Sequence, residues 1–335
     1  MTRFLPLRVL CAAPLLFAAP LCAQAQAGFS FADTQGDHLD VQLNGKPLLR
    51  WQYAFDNSTP ERLHDTYKPY LHVLDAEGKE LITKGPGGEF THHRGWFLGW
   101  SKITTPNGTV DRWHMKGGNI IQQKVVSQKA DKDSATFTVL LHWQGATDAP
   151  ILSEERTYTV LPAPAPAYVL VELKSEITAL AGETHLDGDP EHAGLQFRPA
   201  SQIDRPLTSY IFPQAEADPK KDRDYPWVAE NATISGKHYT IAFLNHPDNP
   251  KDTPFSAYRD YGRFGGFFRT TIPAGGKFTL KGRLLIAENS LSAGDIQKAA
   301  NAFTGKNDPT PTITERMADK PAPKKEDKKP EAPAK

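Results

Sequence analysis

Tyr168-Val169-Leu170-Val171-Glu172-Leu173-Lys174-Ser175-Glu176-Ile177 is the stretch whose reading decides the fold. Val169, Val171, Leu173 and Ser175 point one way in an extended chain. Leu170, Glu172, Lys174 and Glu176 point the other. Polar and apolar residues therefore alternate with a period of two, the mark of an antiparallel strand with one wetter face. A second run, Thr136–Trp143, repeats the pattern, with Phe137, Val139 and Leu141 set against Thr138, Leu140 and His142. Arg156–Val160, Tyr239–Leu244 and Lys277–Ala287 are further short, β-branched and aromatic runs bounded by Gly, Pro, Asn and Asp. The break Pro162-Ala163-Pro164-Ala165-Pro166 lies between two of these runs and reads as a long hairpin connection, because the strand pattern resumes at once. No internal repeat is present. Many strands in one domain predict an all-β fold, a large antiparallel β-sandwich.

Helical periodicity is confined to one segment near the end. Ser292 and Asp295 form a capping-box pattern, Ile296, Ala299, Ala300 and Phe303 follow at helical spacing, and Gly305 is a natural stop. One short C-terminal helix is expected.

The two ends read differently from the body. Arg3 and Arg8 precede an uncharged, mostly apolar run from Val9 to Ala23, and Ala25-Gln26-Ala27 fits a small-x-small cleavage site. Residues 1–27 are expected to be a secretory signal peptide. A periplasmic or secreted location and no membrane span after leader cleavage follow from that expectation. Both cysteines, Cys11 and Cys22, lie in this leader, so thiol catalysis and cysteine-ligated metal are excluded from a processed chain. Residues 306–335 are rich in Pro, Lys, Ala, Asp and Glu and are expected to be a disordered tail. Residues 28–305 remain as a single sandwich domain.

The 335-residue chain carries 39 Lys and Arg against 39 Asp and Glu, so its charge does not favour nucleic acid as a partner. Gly85-Pro86-Gly87-Gly88 is glycine-rich but lacks the Lys-Ser/Thr of a phosphate loop. No cofactor is expected.

Chemistry concentrates in a few polar segments. The densest is Thr91-His92-His93-Arg94-Gly95-Trp96. Histidine titrates near neutral pH, and arginine can clamp carboxylates or sugar oxygens. In an extended chain His92 and Arg94 share a face and His93 points away, so the two histidines are expected to do different jobs. In Asp111-Arg112-Trp113-His114, strand geometry would set Asp111 beside Trp113, an acid and an indole able to hold a polyol. In the segment from Glu183 to Arg198, His192, Gly194, Gln196 and Arg198 would line one strand face. Ala193, Leu195 and Phe197 would face the core. Glu191 would orient His192, as a carboxylate beside an imidazole does. Asp187-Gly188-Asp189 has some calcium-loop character without its full spacing. Arg259 and Tyr261 stand in the aromatic and arginine-rich segment Tyr258–Phe268, and Tyr70 and His72 share one strand face.

Several of these segments, in order, resemble the PmoA-like family of bacterial proteins of largely unknown function. They are His92-His93-Arg94-Gly95, Asp111-x-Trp113, Glu155-Arg156, Glu191-His192-Ala193-Gly194-Leu195-x-x-Arg198, His246-Pro247-x-Asn249 and Tyr261-Gly262-x-Phe264-Gly265. The resemblance covers Pro47 to Ala287. It implies a supersandwich like that of the galactose mutarotases, whose members bind sugars in an open cleft lined by His, Arg and carboxylates. It does not transfer a reaction. The membrane-embedded methane monooxygenase subunit of similar name is not a guide, because no membrane span is expected here.

The expected partner is a small-molecule or oligosaccharide ligand. His93, His192, Glu191 and Asp111 are the expected acid-base groups. Tyr70, His72, His92, Arg94, Trp113, Gln196, Arg198, Arg259 and Tyr261 are the expected ligand-binding groups. Two alternatives are a non-catalytic sugar-binding protein and a metalloenzyme using His92, His114, His185 and His192.

Overall fold

The structure is a computed structural model that describes residues 27–114 and 116–320. The expected leader lies outside these residues except for Ala27, as does the end of the expected tail from residue 321.

Two antiparallel sheets pack face to face. The nine-stranded sheet runs in the order Thr314–Met317, Ser209–Phe212, Trp227–Ile234, Lys237–Asn245, Lys277–Glu288, Val169–Ala179, Pro150–Leu161, Ala135–Gln144 and Ile120–Ala130. The seven-stranded sheet runs Phe29–Thr34, His38–Leu43, Lys46–Gln52, Tyr70–Val73, Trp96–Trp100, Ala193–Phe197 and Phe264–Gly266. A small four-stranded sheet, Thr270–Ile272, Thr184–Asp187, Lys102–Thr105 and Gly108–Val110, stands beside them. The all-β sandwich expected from the alternation is the observed fold.

Strand alternation explains the layering. Along Ala135–Gln144 every second residue is buried, and Phe137, Val139 and Leu141 are fully so. Val171 and Leu173 join them from Val169–Ala179, which pairs across the Pro-rich hairpin with the intervening strand Pro150–Leu161, Leu161 opposite Leu170. From the other sheet Trp51, Leu71, Trp96, Leu98, Leu195 and Phe197 enter the same core. Trp51 meets Tyr158 at 5.4 Å between ring centroids, and Trp96 meets Phe243 at 6.5 Å. Each such side chain contributes roughly 1.5–3 kcal/mol by leaving water.

The core also holds one ion pair. Arg156 donates to Glu154 at 2.7 and 2.8 Å, and Trp143 and Ser175 donate to the same carboxylate. Glu154 and Arg156 share a strand face because they are two residues apart. Glu155, the neighbour quoted in the motif, points out.

Two expectations need correction. Residues 306–320 are not all a loose tail, since Thr314–Met317 adds as an edge strand to Ser209–Phe212. Edge addition needs backbone hydrogen bonds rather than an apolar core, and Ser209 and Asn231 further bind the Glu315 carboxylate. The helix Ala293–Thr304 has its Ser292/Asp295 capping box and a left-handed Gly305, as expected. It is not alone, because a one-and-a-half-turn helix, Pro60–Asp65, is capped by Thr59.

Candidate functional site

The outer face of the seven-stranded sheet carries the polar segments. Gly99 pairs with Gly194 there, and a Cβ on Gly99 would lie 2.8 Å from the carbonyl oxygen of Arg112. The missing side chain lets the segment Asp111–His114 lie directly on the sheet. Beneath it Arg112 is fully buried and donates to the carbonyls of Gln144 and Gly145.

Asp111–His114 is a turn, not a strand. Asp111 Oδ1 accepts from the backbone N–H groups of Trp113 and His114 at 2.9 Å, and Oδ2 accepts from His114 Nδ1 at 2.7 Å. The second polar segment repeats the device. Asp189 Oδ1 accepts from the Glu191 N–H at 2.9 Å, and the same carboxylate binds His192 Nδ1 at 2.9 Å. A carboxylate only accepts, so in both turns Nδ1 carries the proton and Nε2 is left free for chemistry. The two imidazoles face each other at 4.9 Å between ring centroids. Both reach solvent, their side chains 28% and 38% exposed.

His92 and His93 complete the cluster, and here the strand expectation fails. The chain turns before Trp96, with Phe90 at φ 52 and Gly95 at φ 36, so the two histidines are not on opposite faces. Their rings lie 4.4 Å apart, and His92 lies 4.9 Å from His114. A Cβ on Gly95 would sit 2.3 Å from the Leu71 carbonyl oxygen, so only glycine makes this bend. The two rings still differ in setting. His93 is 2% exposed, stacked near Phe97 and Tyr261, and its Nδ1 has no protein partner. Burial, reinforced by Arg263, holds it well below the ordinary imidazole range, so it is neutral. Burial and the nearby Lys68 pull His92 down to about 3.

Other expected residues take supporting places. Glu191 does not orient His192, because Asp189 does. Instead Glu191 receives Tyr258 OH at 2.7 Å and the Arg259 guanidinium at 2.6 Å, with Arg263 at 3.9 Å. Burial pushes its carboxyl up, but the Arg259 and Tyr258 bonds outweigh that and keep it ionised. Trp113 is fully buried against Phe97 at 4.9 Å, not an exposed platform beside Asp111. Gln196 is buried and accepts from Arg263 at 2.9 Å. Arg198 donates to the carbonyls of Pro199 and Tyr261, and Arg94 to those of Gly85 and His64. Neither guanidinium reaches the histidine rim. Asp187 is bound by Arg269 at 2.7 Å, and His185 stands on the small sheet against Thr271. Among the described residues no three His, Cys, Asp or Glu are spaced to hold a metal ion.

Tyr70 and His72 lie on the same sheet face, 4.8 Å apart, in a separate pocket of about 240 Å³. His72 donates to or accepts from Thr83 Oγ1 at 2.8 Å, and burial brings it down to about 3.

Lys68, Asp189, Tyr258 and Arg263 were not among the site residues expected from sequence. The repeated spacing Asp-x-x-His, at 111–114 and 189–192, was the available signal for Asp189. Lys68 gives none, since a lysine before a proline reads as surface.

The fold is similar to several solved structures at low identity. The galactosidase domain of an alpha-galactosidase–sucrose kinase matches at 8% identity and TM-score 0.44, over 81% of this chain and 43% of that one. A polysaccharide lyase matches at 11% identity and TM-score 0.33, over 78% and 33% respectively. The heparan sulfate lyase HepC of Pedobacter heparinus matches at 11% and 0.33, over 84% and 38%. The chain thus spans less than half the length of each. No curated protein matches it. Residues 38–301 match the description of DUF6807, and the chain belongs to that family of unknown function.

Proposed function

We propose that the protein acts on carbohydrate by acid-base chemistry, with His114 and His192 as the proton-transferring pair. The carrying observation is the pair of Asp–His turns that occupy Nδ1 of each ring and set the two partly exposed imidazoles 4.9 Å apart. One neutral imidazole can take a proton from the sugar while its protonated partner gives one to the leaving or neighbouring oxygen. Asp111 and Asp189 are then positioning residues, which fix the tautomer and stabilise imidazolium. His92 stands beside the pair as a neutral hydrogen-bonding group. The rim alternates acceptors and donors, Asp111, Asp189 and the Glu191–Arg259–Tyr258 clamp, as recognition of several hydroxyls requires. Mutarotation, elimination and hydrolysis all need this pair of proton transfers. The exported location expected from the leader belongs to the same proposal.

The test is to incubate the protein with aldose, ketose and keto-sugar glycosides in D2O and follow the sugar by proton NMR. Turnover or deuterium uptake is expected, with a loss of at least roughly 100-fold in His114→Ala and in His192→Ala. Each variant should also lose one limb of the pH–rate profile. Measurable affinity with unchanged sugar would leave a binding protein and remove the catalytic assignment. No affinity for any saccharide would remove the whole reading.

A further inference from the structure

The outer face also holds a pocket that the histidine pair does not use. It has a volume of about 240 Å³ and is lined by Tyr70 and His72 together with Arg62 and Asp65 of the helix Pro60–Asp65. Gly85 faces it: a Cβ there would come within 3.6 Å of His72 Nε2 and 3.8 Å of the Tyr70 hydroxyl. Without one, both polar atoms are open to the pocket.

Tyr70 and His72 are 2% and 3% exposed, yet neither the Tyr70 hydroxyl nor His72 Nε2 has a hydrogen-bond partner among the described residues. His72 Nδ1 lies 2.8 Å from Thr83 Oγ1, which already accepts the Val73 N–H at 3.0 Å. The threonine proton has no other acceptor among the described residues, so it goes to Nδ1, and Nε2 carries the ring proton. Two unpaired donors therefore stand side by side, their rings 4.8 Å apart. Burying a donor without a partner is costly, and a ligand oxygen removes that cost. The complementary acceptor is Asp65, partly buried at the end of its helix and without a hydrogen bond or ion pair among the described residues. Leu81, left 39% exposed, adds an apolar wall.

The charges of the lining balance, Asp37 and Asp65 against Arg62 and Lys68. Asp37 is held by His38 and Gln52, and Arg62 by Asp56. The Lys68 ammonium turns away to the Trp113 carbonyl and the Phe97 ring, and burial pulls it well below the ordinary amine range. The one charge left without a partner is the Asp65 carboxylate, which accepts from a hydroxyl and repels an anion. Two donors, one acceptor and an apolar wall around a small concave space are what a polyol ring requires.

We infer that this pocket is a second saccharide subsite that takes a neutral sugar unit, with Tyr70 and His72 donating to its oxygens, Asp65 accepting from a hydroxyl and Leu81 against its C–H face. The apolar cluster of Tyr70, Phe97 and Trp113 stands between the pocket and the histidine pair, with Trp113 6.4 Å from His192 between ring centroids, so the unit bound here is not the one that reacts. The inference rests on the carbohydrate reading and adds a substrate class to it, a neutral saccharide of more than one unit.

Calorimetric titration of the full chain with neutral oligomers of glucose, galactose and mannose, each beside its uronate counterpart, tests it. At least one neutral series is expected to bind, roughly 10-fold tighter or more than its uronate, and to move the imidazole nitrogen signals of His72 in NMR. Gly85→Ala needs no left-handed backbone and meets its neighbours at ordinary contact distance, so it covers the two donors without straining the fold. It should weaken that binding roughly 10-fold or more, and Tyr70→Phe roughly 3- to 10-fold. Full affinity in a folded Gly85→Ala, or His72 signals that stay still while a saccharide binds, would overturn the inference and leave the carbohydrate reading in place. So would uronates that bind as tightly as the neutral oligomers or tighter. Binding of no saccharide at all would overturn both.

Discussion

The two sheets bury their inner faces alike and differ on their outer ones. The outer face of the nine-stranded sheet is covered over part of its width by the helix Ala293–Thr304, whose Ile296, Ala299 and Ala300 pack on Leu170, Trp227, Leu244 and Leu285. The outer face of the seven-stranded sheet is closed by loops carrying four histidines and several buried cations, over a small apolar cluster of Tyr70, Phe97 and Trp113. Apolar closure adds stability through area removed from water. Polar closure stores unpaired donors and neutral imidazoles, which cost stability and are of use only to a ligand. One sandwich thus has a stabilising side and a chemical side.

The largest effects should separate these sides. His192→Ala on the chemical side is expected to reduce turnover by roughly 10²–10⁴-fold while leaving the melting temperature nearly unchanged, because that side chain is 38% exposed. Ile296→Ala on the other side should do the reverse. It removes a fully buried side chain from the helix–sheet contact and should cost about 2–5 kcal/mol in urea unfolding, with binding intact. A His192→Ala protein that loses stability, or an Ile296→Ala protein that loses affinity, would break the division.

The stabilising side was largely legible in the sequence. The alternation in Ala135–Gln144 and Val169–Ala179 and the Ser292–Asp295 cap are local signals, and local signals survive into the fold. The chemical side was legible in composition but not in geometry. An extended chain puts His92 and His93 on opposite faces. The left-handed Phe90 and the bend at Gly95 made a turn instead. Asp111 and Trp113 failed in the same way, since an Asx turn put the acid on the backbone N–H groups of its own neighbours. Adjacency points to Glu191 as the residue that orients His192, whereas the turn brings Asp189, three residues back, to the ring. Lys68 could not be found because its burial depends on strands distant in sequence.

The neutral imidazoles give the comparison a pH signature. In the folded protein His72 titrates near 3, while an unfolded histidine titrates near 6.5. Between those values the unfolded chain holds a proton that the folded chain refuses. Stability is therefore full above about 6.5 and falls as the pH drops, by about 1.4 kcal/mol per unit for each such group. His72→Gln should flatten the dependence of unfolding free energy on pH by one proton's slope between pH 6 and 4. An unchanged slope would mean that His72 is not held neutral.

The smallest effect probes the helix that makes the other side different. Ser292 accepts the Asp295 N–H at 3.1 Å, and the Asp295 carboxylate accepts the Ser292 N–H at 3.1 Å, so two donors with no partner inside the helix are satisfied reciprocally. Ser292→Ala leaves one of them to water and should cost about 1 kcal/mol. The loss should appear as earlier hydrogen exchange over residues 293–304 rather than as a change in ligand affinity. The helix sits on the outer face of the nine-stranded sheet, and the core separates it from the histidines. If the cap variant altered saccharide affinity, the two faces would have to be coupled through the core, and the assignment of stability to one and chemistry to the other would fail.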